Sequence, residues 1–233
     1  STEDPAPPSS TEAPAPPPST EAPASPSPTE APVPPSPTEA PAASSPTPSA
    51  SKEGSSRVTG YAQATLSSGP AYETMVIYHH NAARALHGAE PLVWNNDLAA
   101  KSLDWANNCQ FKHNSAGQNL FATSGDAFNV SAGIINSWYN AEIVHMDGYW
   151  GAPNIPEPAF SSVGHFTQMV WKSTKSIGCA SVDCSGRMVD ENGNPIQYSK
   201  YTVCDYDPAG NVVGQYAENI VRPSTATVLN WAA

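Results

Sequence analysis

A nine-residue repeat keeps the first quarter of this chain out of any packed core. It reads Thr-Glu-Asp-Pro at Thr2, then Thr-Glu-Ala-Pro at Thr11, Thr20, Thr29 and Thr38. The first 56 of 233 residues hold 17 of the 25 prolines and no Cys, His, Trp, Tyr or Phe. Without large apolar side chains such a segment cannot offset the entropy of ordering itself, so residues 1–57 are expected to be a disordered, partly polyproline-like tail. Ser and Thr mixed with Pro also compose O-glycosylated stalks, so a plain spacer and a wall-associated stalk both stand. The rest is enough for a single domain, expected over residues 58–225, with 226–233 as a short C-terminal tail.

The net charge of −11 divides into −6 over residues 1–56 (seven acids, one lysine) and −5 over the remainder. Neither part carries a Lys/Arg cluster, which argues against nucleic acid and anionic membranes as partners. No apolar run reaches the roughly 20 residues that cross a bilayer. All four cysteines, Cys109, Cys179, Cys184 and Cys204, lie after the tail. An even count beside a stalk-like segment points to two disulfides and an oxidising compartment, with three pairings open. Asn129-Val130-Ser131 adds an N-glycosylation acceptor, and a chain that starts at Ser1 reads as already processed. The expectation is a secreted extracellular monomer.

Apolar spacing predicts helices over 72–86, with Gly88 as the stop, over 96–108 and over 126–144. In the second helix Leu98, Leu103, Trp105 and Ala106 are expected to face inward. Residues 145–163, with three prolines and two glycines, read as a loop. Strands are expected over 176–181, 198–206 and 120–122, with the turn-rich 190–195 between the first two. Helices on both faces of a small antiparallel sheet follow, an α+β fold. His165 lies in an amphipathic run behind Gly164. With His113, Glu142 and Gln118, an amide where an acid is expected, it forms a candidate metal or polar site.

Gly164-His165-Phe166-Thr167-Gln168-Met169-Val170-Trp171-Lys172-Ser173-Thr174 resembles the first signature of the CAP superfamily of cysteine-rich secretory, antigen 5 and pathogenesis-related 1 proteins. His80-Asn81-Ala82-Ala83-Arg84, Gly117-Gln118-Asn119-Leu120 and the stretch from Cys204-Asp205-Tyr206 to Gly210-Asn211 resemble three further signatures, in the family's order. Thr202 and Asp205 depart from the commoner residues. The style of tail and loop is most similar to fungal secreted pathogenesis-related 1-like proteins. The resemblance implies a three-layer α-β-α sandwich and the pairings Cys109–Cys184 and Cys179–Cys204. It implies a polar tetrad of His113, Gln118, Glu142 and His165. With an amide at 118, this is expected to be a weak, optional site for Zn²⁺ or Mg²⁺.

The family resemblance also implies a non-enzymatic binding protein for sterols or fatty acids, used in lipid export or host–pathogen interaction, with Tyr149, Trp150 and Phe160 of the 145–163 loop as ligand contacts. The loop is longer than in fungal members, and its aromatics lack their alternating spacing. Those rings equally suit pinning the loop to the domain. No HExxH motif and no assignable nucleophile support an enzyme. A stalked cell-wall or host-surface protein is the alternative, and a peptide released from Pro208 a minor third.

Overall fold

The computed structural model describes residues 57–225 and 228–233; the repeat tail lies outside the described residues. Helix α1 spans Gly69–Leu86 and opens with a proline in its first turn, three residues before the sequence signal. Strand β1, Val93–Trp94, leads into α2, Asn96–Ala106. Asn95 caps α2, its side-chain oxygen accepting the N–H groups of Asp97 (2.9 Å) and Leu98 (3.1 Å). Strand β2 is Gln118–Thr123. The third expected helix starts at α3, Val130–Ala132, continues as a π-helical segment over Gly133–Asn140, and ends in α4, Ala141–Ile143. Helix α5 is Gly164–Val170, β3 is Ser176–Asp183, β4 is Lys200–Asp207 and α6 is Tyr216–Asn219.

The four strands are ordered β1-β3-β4-β2. The β2–β4 and β3–β4 pairs are antiparallel, while the two-residue β1 runs parallel to β3, so the sheet is mixed at one edge rather than wholly antiparallel. Alternation along β4 sorts the core into two sides. Cys204 and Tyr206 join Met75, Ile134, Trp138 and Phe166 beneath α1, the π-helical segment and α5. Tyr201 and Val203 join Ala106, Leu120 and the Cys109–Cys184 bond on the α2 side. The result is the three-layer α-β-α sandwich.

Helix α2 departs from its expected orientation. Ser102 and Ala106 are its buried residues, whereas Leu103 is exposed and Leu98 and Trp105 are only half-buried. The cause is close approach to β3: a Cβ on Gly178 would lie 2.1 Å from the Ala99 backbone nitrogen. Only small side chains fit such a contact, and Ser102 Oγ lies 2.9 Å from the Gly178 carbonyl.

Both disulfides join the pairs implied by the resemblance, Cys109–Cys184 and Cys179–Cys204. The first closes a 75-residue separation, which on chain-entropy grounds restricts the unfolded state by roughly 4 kcal/mol. Residues 228–233 pack on the domain. Asn140 exchanges two hydrogen bonds with Leu229 (2.9 and 3.2 Å), and the Trp231 carbonyl accepts from Gln63 Nε2 (2.7 Å).

His79, His80 and His87 are buried in the interior. His80 Nδ1–H donates to the Val76 carbonyl (2.8 Å), so its Nε2 accepts from the Tyr206 hydroxyl (2.7 Å). Desolvation, reinforced by nearby Arg57, lowers the pKa of His79 to about 4. Desolvation likewise lowers that of His80 to about 3, with Arg84 and His79 adding to it against the Val76 bond. The unfolded chain takes up these protons near pH 6.5 and the native one only below about 4. The associated stability is therefore complete above 6.5 and lost as pH falls. Urea melts at pH 7 and pH 5 are expected to differ by roughly 1–2 kcal/mol per buried histidine; equal midpoints and slopes would contradict this.

Candidate functional site

Helix α5 presents His165 in its first turn, and the sequence around it is built to hold that turn still. Thr167 Oγ1–H donates to Asn211 Oδ1 (2.7 Å), and Asn211 Nδ2 donates to the Gly164 carbonyl (2.9 Å). Gln168 Oε1 accepts the Gly210 N–H (2.8 Å), where a Cβ would stand 2.8 Å from the Trp171 ring. The two motifs that look like signatures in the sequence therefore interlock as one scaffold.

Glu142, on α4, reaches this turn with both oxygens. Oε1 lies 2.5 Å from His165 Nδ1, and Oε2 accepts the Phe166 N–H at 2.8 Å. A carboxylate at a helix N-terminus answers orphan N–H groups and the positive end of the helix dipole. The His165 ring lies flat on Trp138, with centroids 5.8 Å apart and planes 13° apart. Asn119 Nδ2 donates to the His165 carbonyl (3.1 Å) and to the Tyr206 hydroxyl (3.2 Å), which links α5 through β2 and β4 to His80 on α1. Glu142 thus orients the imidazole through Nδ1 and leaves Nε2 as the nitrogen able to take a ligand.

His113 stands across a cleft of about 570 Å³, lined also by Phe111, Lys112, Leu120, His165 and Glu191. His113 is exposed as a whole. Protein packed round its ring still disfavours the charged form, His165 adds to this and Asp205 opposes it, so its pKa lies below the usual histidine value. A smaller recess of about 270 Å³ lies between His165, Trp138, Glu142 and Tyr198.

Gln118 does not join the two histidines in hydrogen bonding. Its Oε1 accepts the Asn114 N–H (3.2 Å), and its Nε2 donates to Asn114 Oδ1 (2.9 Å) and to Asp205 (3.3 Å). Among the described residues no three of His, Cys, Asp or Glu are grouped to hold an ion. With Glu142 committed to His165 and Phe166, and Gln118 to Asn114 and Asp205, the tetrad offers the His113 imidazole and His165 Nε2. That donor set does not fit a resident metal, which takes three or four protein ligands.

The three loop aromatics are not gathered in one place. Trp150 stacks on buried His87 (6.2 Å, 14°) and meets Phe166 edge-on (6.1 Å). Phe160 covers Gly164, where a Cβ would touch its ring at 3.2 Å. Tyr149 packs half-buried against the core, its N–H donating to the Met146 carbonyl (3.0 Å). Trp150 also walls a groove of about 440 Å³ with Ile143, Val144, Pro223 and Val228, and Asp147 and Arg222 stand at its rim 3.4 Å apart. Val144 and Val228 are 66% and 83% exposed. The sequence reading missed this groove because its far wall comes from Arg222, Pro223, Ser224 and Val228, which carry no motif.

Fold and cleft together define a disulfide-bonded α-β-α sandwich around a His–Glu pair. The chain belongs to the cysteine-rich secretory protein (CAP) family, whose model matches residues 77–206. It is 38% identical over 167 residues to a probable pathogenesis-related protein of Arthroderma benhamiae, covering 69% of this chain and 52% of that one. It is 37% identical over 150 residues to the fruiting body protein SC14 of Schizophyllum commune (62% and 65% covered). To the protein PRY2 of Saccharomyces cerevisiae it is 34% identical over 158 residues (64% and 41%). The chain thus spans between 41% and 65% of the length of these curated relatives. Among solved structures, the hookworm platelet inhibitor shares the fold with a TM-score of 0.51 at 23% identity, over 70% of this chain and 82% of that one. Among the described residues no helix is long and apolar enough to cross a membrane.

Replacing Glu142 with alanine removes both bonds to α5 and leaves the Phe166 N–H without its partner. The expected loss is about 2 kcal/mol, read from thermal or urea melts at pH 7. An unchanged melt would show that Glu142 does not anchor the turn.

Proposed function

We propose that this domain is a non-enzymatic, extracellular binding protein for small apolar ligands, sterols or fatty acids, held in the groove walled by Trp150. The observation that carries this reading is an apolar groove of about 440 Å³ flanked by two exposed valines, Val144 and Val228, beside a half-buried tryptophan. Ligand pockets run from roughly 300 to 1,000 Å³ and are mostly apolar with a few polar groups. Here the polar groups are Arg222 and Asp147. Trp150 serves as the contact, while Tyr149 and Phe160 hold the loop that carries it.

The His165–Glu142 pair is assigned a structural role, since each carboxylate oxygen takes a bond that ties α4 to the first turn of α5. A divalent cation, Zn²⁺ before Mg²⁺ given imidazole ligands, is proposed only as a weak guest of His113 and His165. Two disulfides and the family membership support an extracellular location. Asn129, half-buried and just before α3, is proposed as the glycan acceptor, and the domain as a monomer.

Competition binding of radiolabelled cholesterol and palmitate to the full chain tests the reading. Saturable binding of either is expected, weakened about tenfold or more by Trp150→Ala, which corresponds to at least 1.4 kcal/mol of lost ring contact. Binding unaffected by that change would remove the groove from the account. No binding of either lipid would favour the stalked cell-wall or host-surface protein.

A further inference from the structure

The carboxylate missing at position 118 stands across the strand ladder, at Asp205. Gln118 and Asp205 are direct partners in the β2–β4 register, and Gln118 Nε2 lies 3.3 Å from both Asp205 oxygens. The Asp205 side chain is 1% exposed and faces Lys101 Nζ at 2.8 Å. It also accepts from the hydroxyls of Ser102 (2.7 Å) and Ser115 (3.3 Å). Lys101 in turn donates to Ser115 (2.9 Å), closing a network that already matches one buried negative charge with one cation.

A glutamate at 118 would put a second carboxylate oxygen where Nε2 now donates. That oxygen would face the two Asp205 oxygens with no hydrogen between them, and one lysine cannot balance two buried carboxylates. The amide at 118 and the acid at 205 are thus matched to each other across the β2–β4 pair. We propose that Asp205 fixes an amide at position 118, and that this strand-paired couple, rather than the histidines, sets the low cation affinity of the His113–His165 cleft. Side chains at 118 and 120 share a face of β2, and Leu120 lines the cleft with both histidines. A carboxylate released from Asp205 would therefore stand one pleat from the imidazoles. The charge that could serve them is instead committed to Lys101 and the hydroxyls of Ser102 and Ser115.

The test is a cycle of Gln118→Glu, Asp205→Asn and the double variant in the full, disulfide-bonded chain. Zn²⁺ affinity is read by calorimetry and stability by thermal melts. Wild type and Asp205→Asn are expected to bind Zn²⁺ weakly and alike, whereas the double variant binds about tenfold tighter or more, the range over which partner groups tune metal sites. Gln118→Glu alone is expected to melt lower than wild type and to be rescued by adding Asp205→Asn. A double variant that binds no tighter than wild type would overturn the proposal. So would a single Gln118→Glu variant as stable as the double, or a double variant that fails to fold while the single one folds.

Discussion

A guanidinium with no exposed surface sets the geometry on which the rest of this domain depends. Arg84, near the end of α1, gives Nε–H to the Glu90 carbonyl (2.7 Å), Nη1 to those of Met169 (3.0 Å) and Trp171 (2.8 Å), and Nη2 to that of Thr174 (3.0 Å). These four carbonyls lie where α5 ends, where the chain turns toward β3, and where α1 turns toward β1. Buried backbone acceptors at such chain turns are costly to leave unpaired, and only the Trp171 carbonyl is also given the Thr174 N–H (3.1 Å) among the described turn bonds. One planar fork answers all four, which a lysine could not do. Three residues earlier on the same face, Asn81 pairs with both backbone groups of Leu92 (2.7 and 3.2 Å). The site follows from this, because α5 placed by Arg84 carries His165 to Glu142.

Much of this order could be read in the sequence, for identifiable reasons. Helix α1 and strands β3 and β4 have strong local periodicity. Asn95 announces α2, and the signatures bring His113, Glu142 and His165 to one domain. What the sequence did not yield depends on contacts between distant segments. Strand β1 is two residues long and exists only because β3, some eighty residues later, supplies its partner. Leu103 reads as a core residue by spacing, yet it turns outward because the Gly178 contact admits only small groups on the inner face of α2. The π-helical turn over Gly133–Asn140 has no signal separable from an α-helix. Tyr149, Trp150 and Phe160 were grouped by proximity in the chain, but the loop sends Trp150 to His87 and Phe160 to Gly164.

Polar and apolar features are segregated on this scaffold, and that segregation shapes the functional reading. The His113–His165 cleft is ringed by groups that satisfy one another. Glu142 is committed to α5, Gln118 to Asn114 and Asp205, and Asp205 to Lys101. The Trp150 groove is the reverse: among the described residues Val144 and Val228 stand exposed, at a cost in water of roughly 25 cal/mol per Å² of apolar surface. A site whose energy is unspent in the free protein is where ligand burial gains most. The cleft is held by its own polar contacts, and the groove leaves apolar surface open to a ligand.

The most direct measurement is a two-dimensional ¹H–¹⁵N NMR titration of the full chain with palmitate and with cholesterol in detergent-matched samples. The account predicts shift changes concentrated at 143–150 and 222–228, with the backbone amides of His113 and His165 unmoved. Changes centred on the His113–His165 cleft, or on the opposite side of α1, would contradict it.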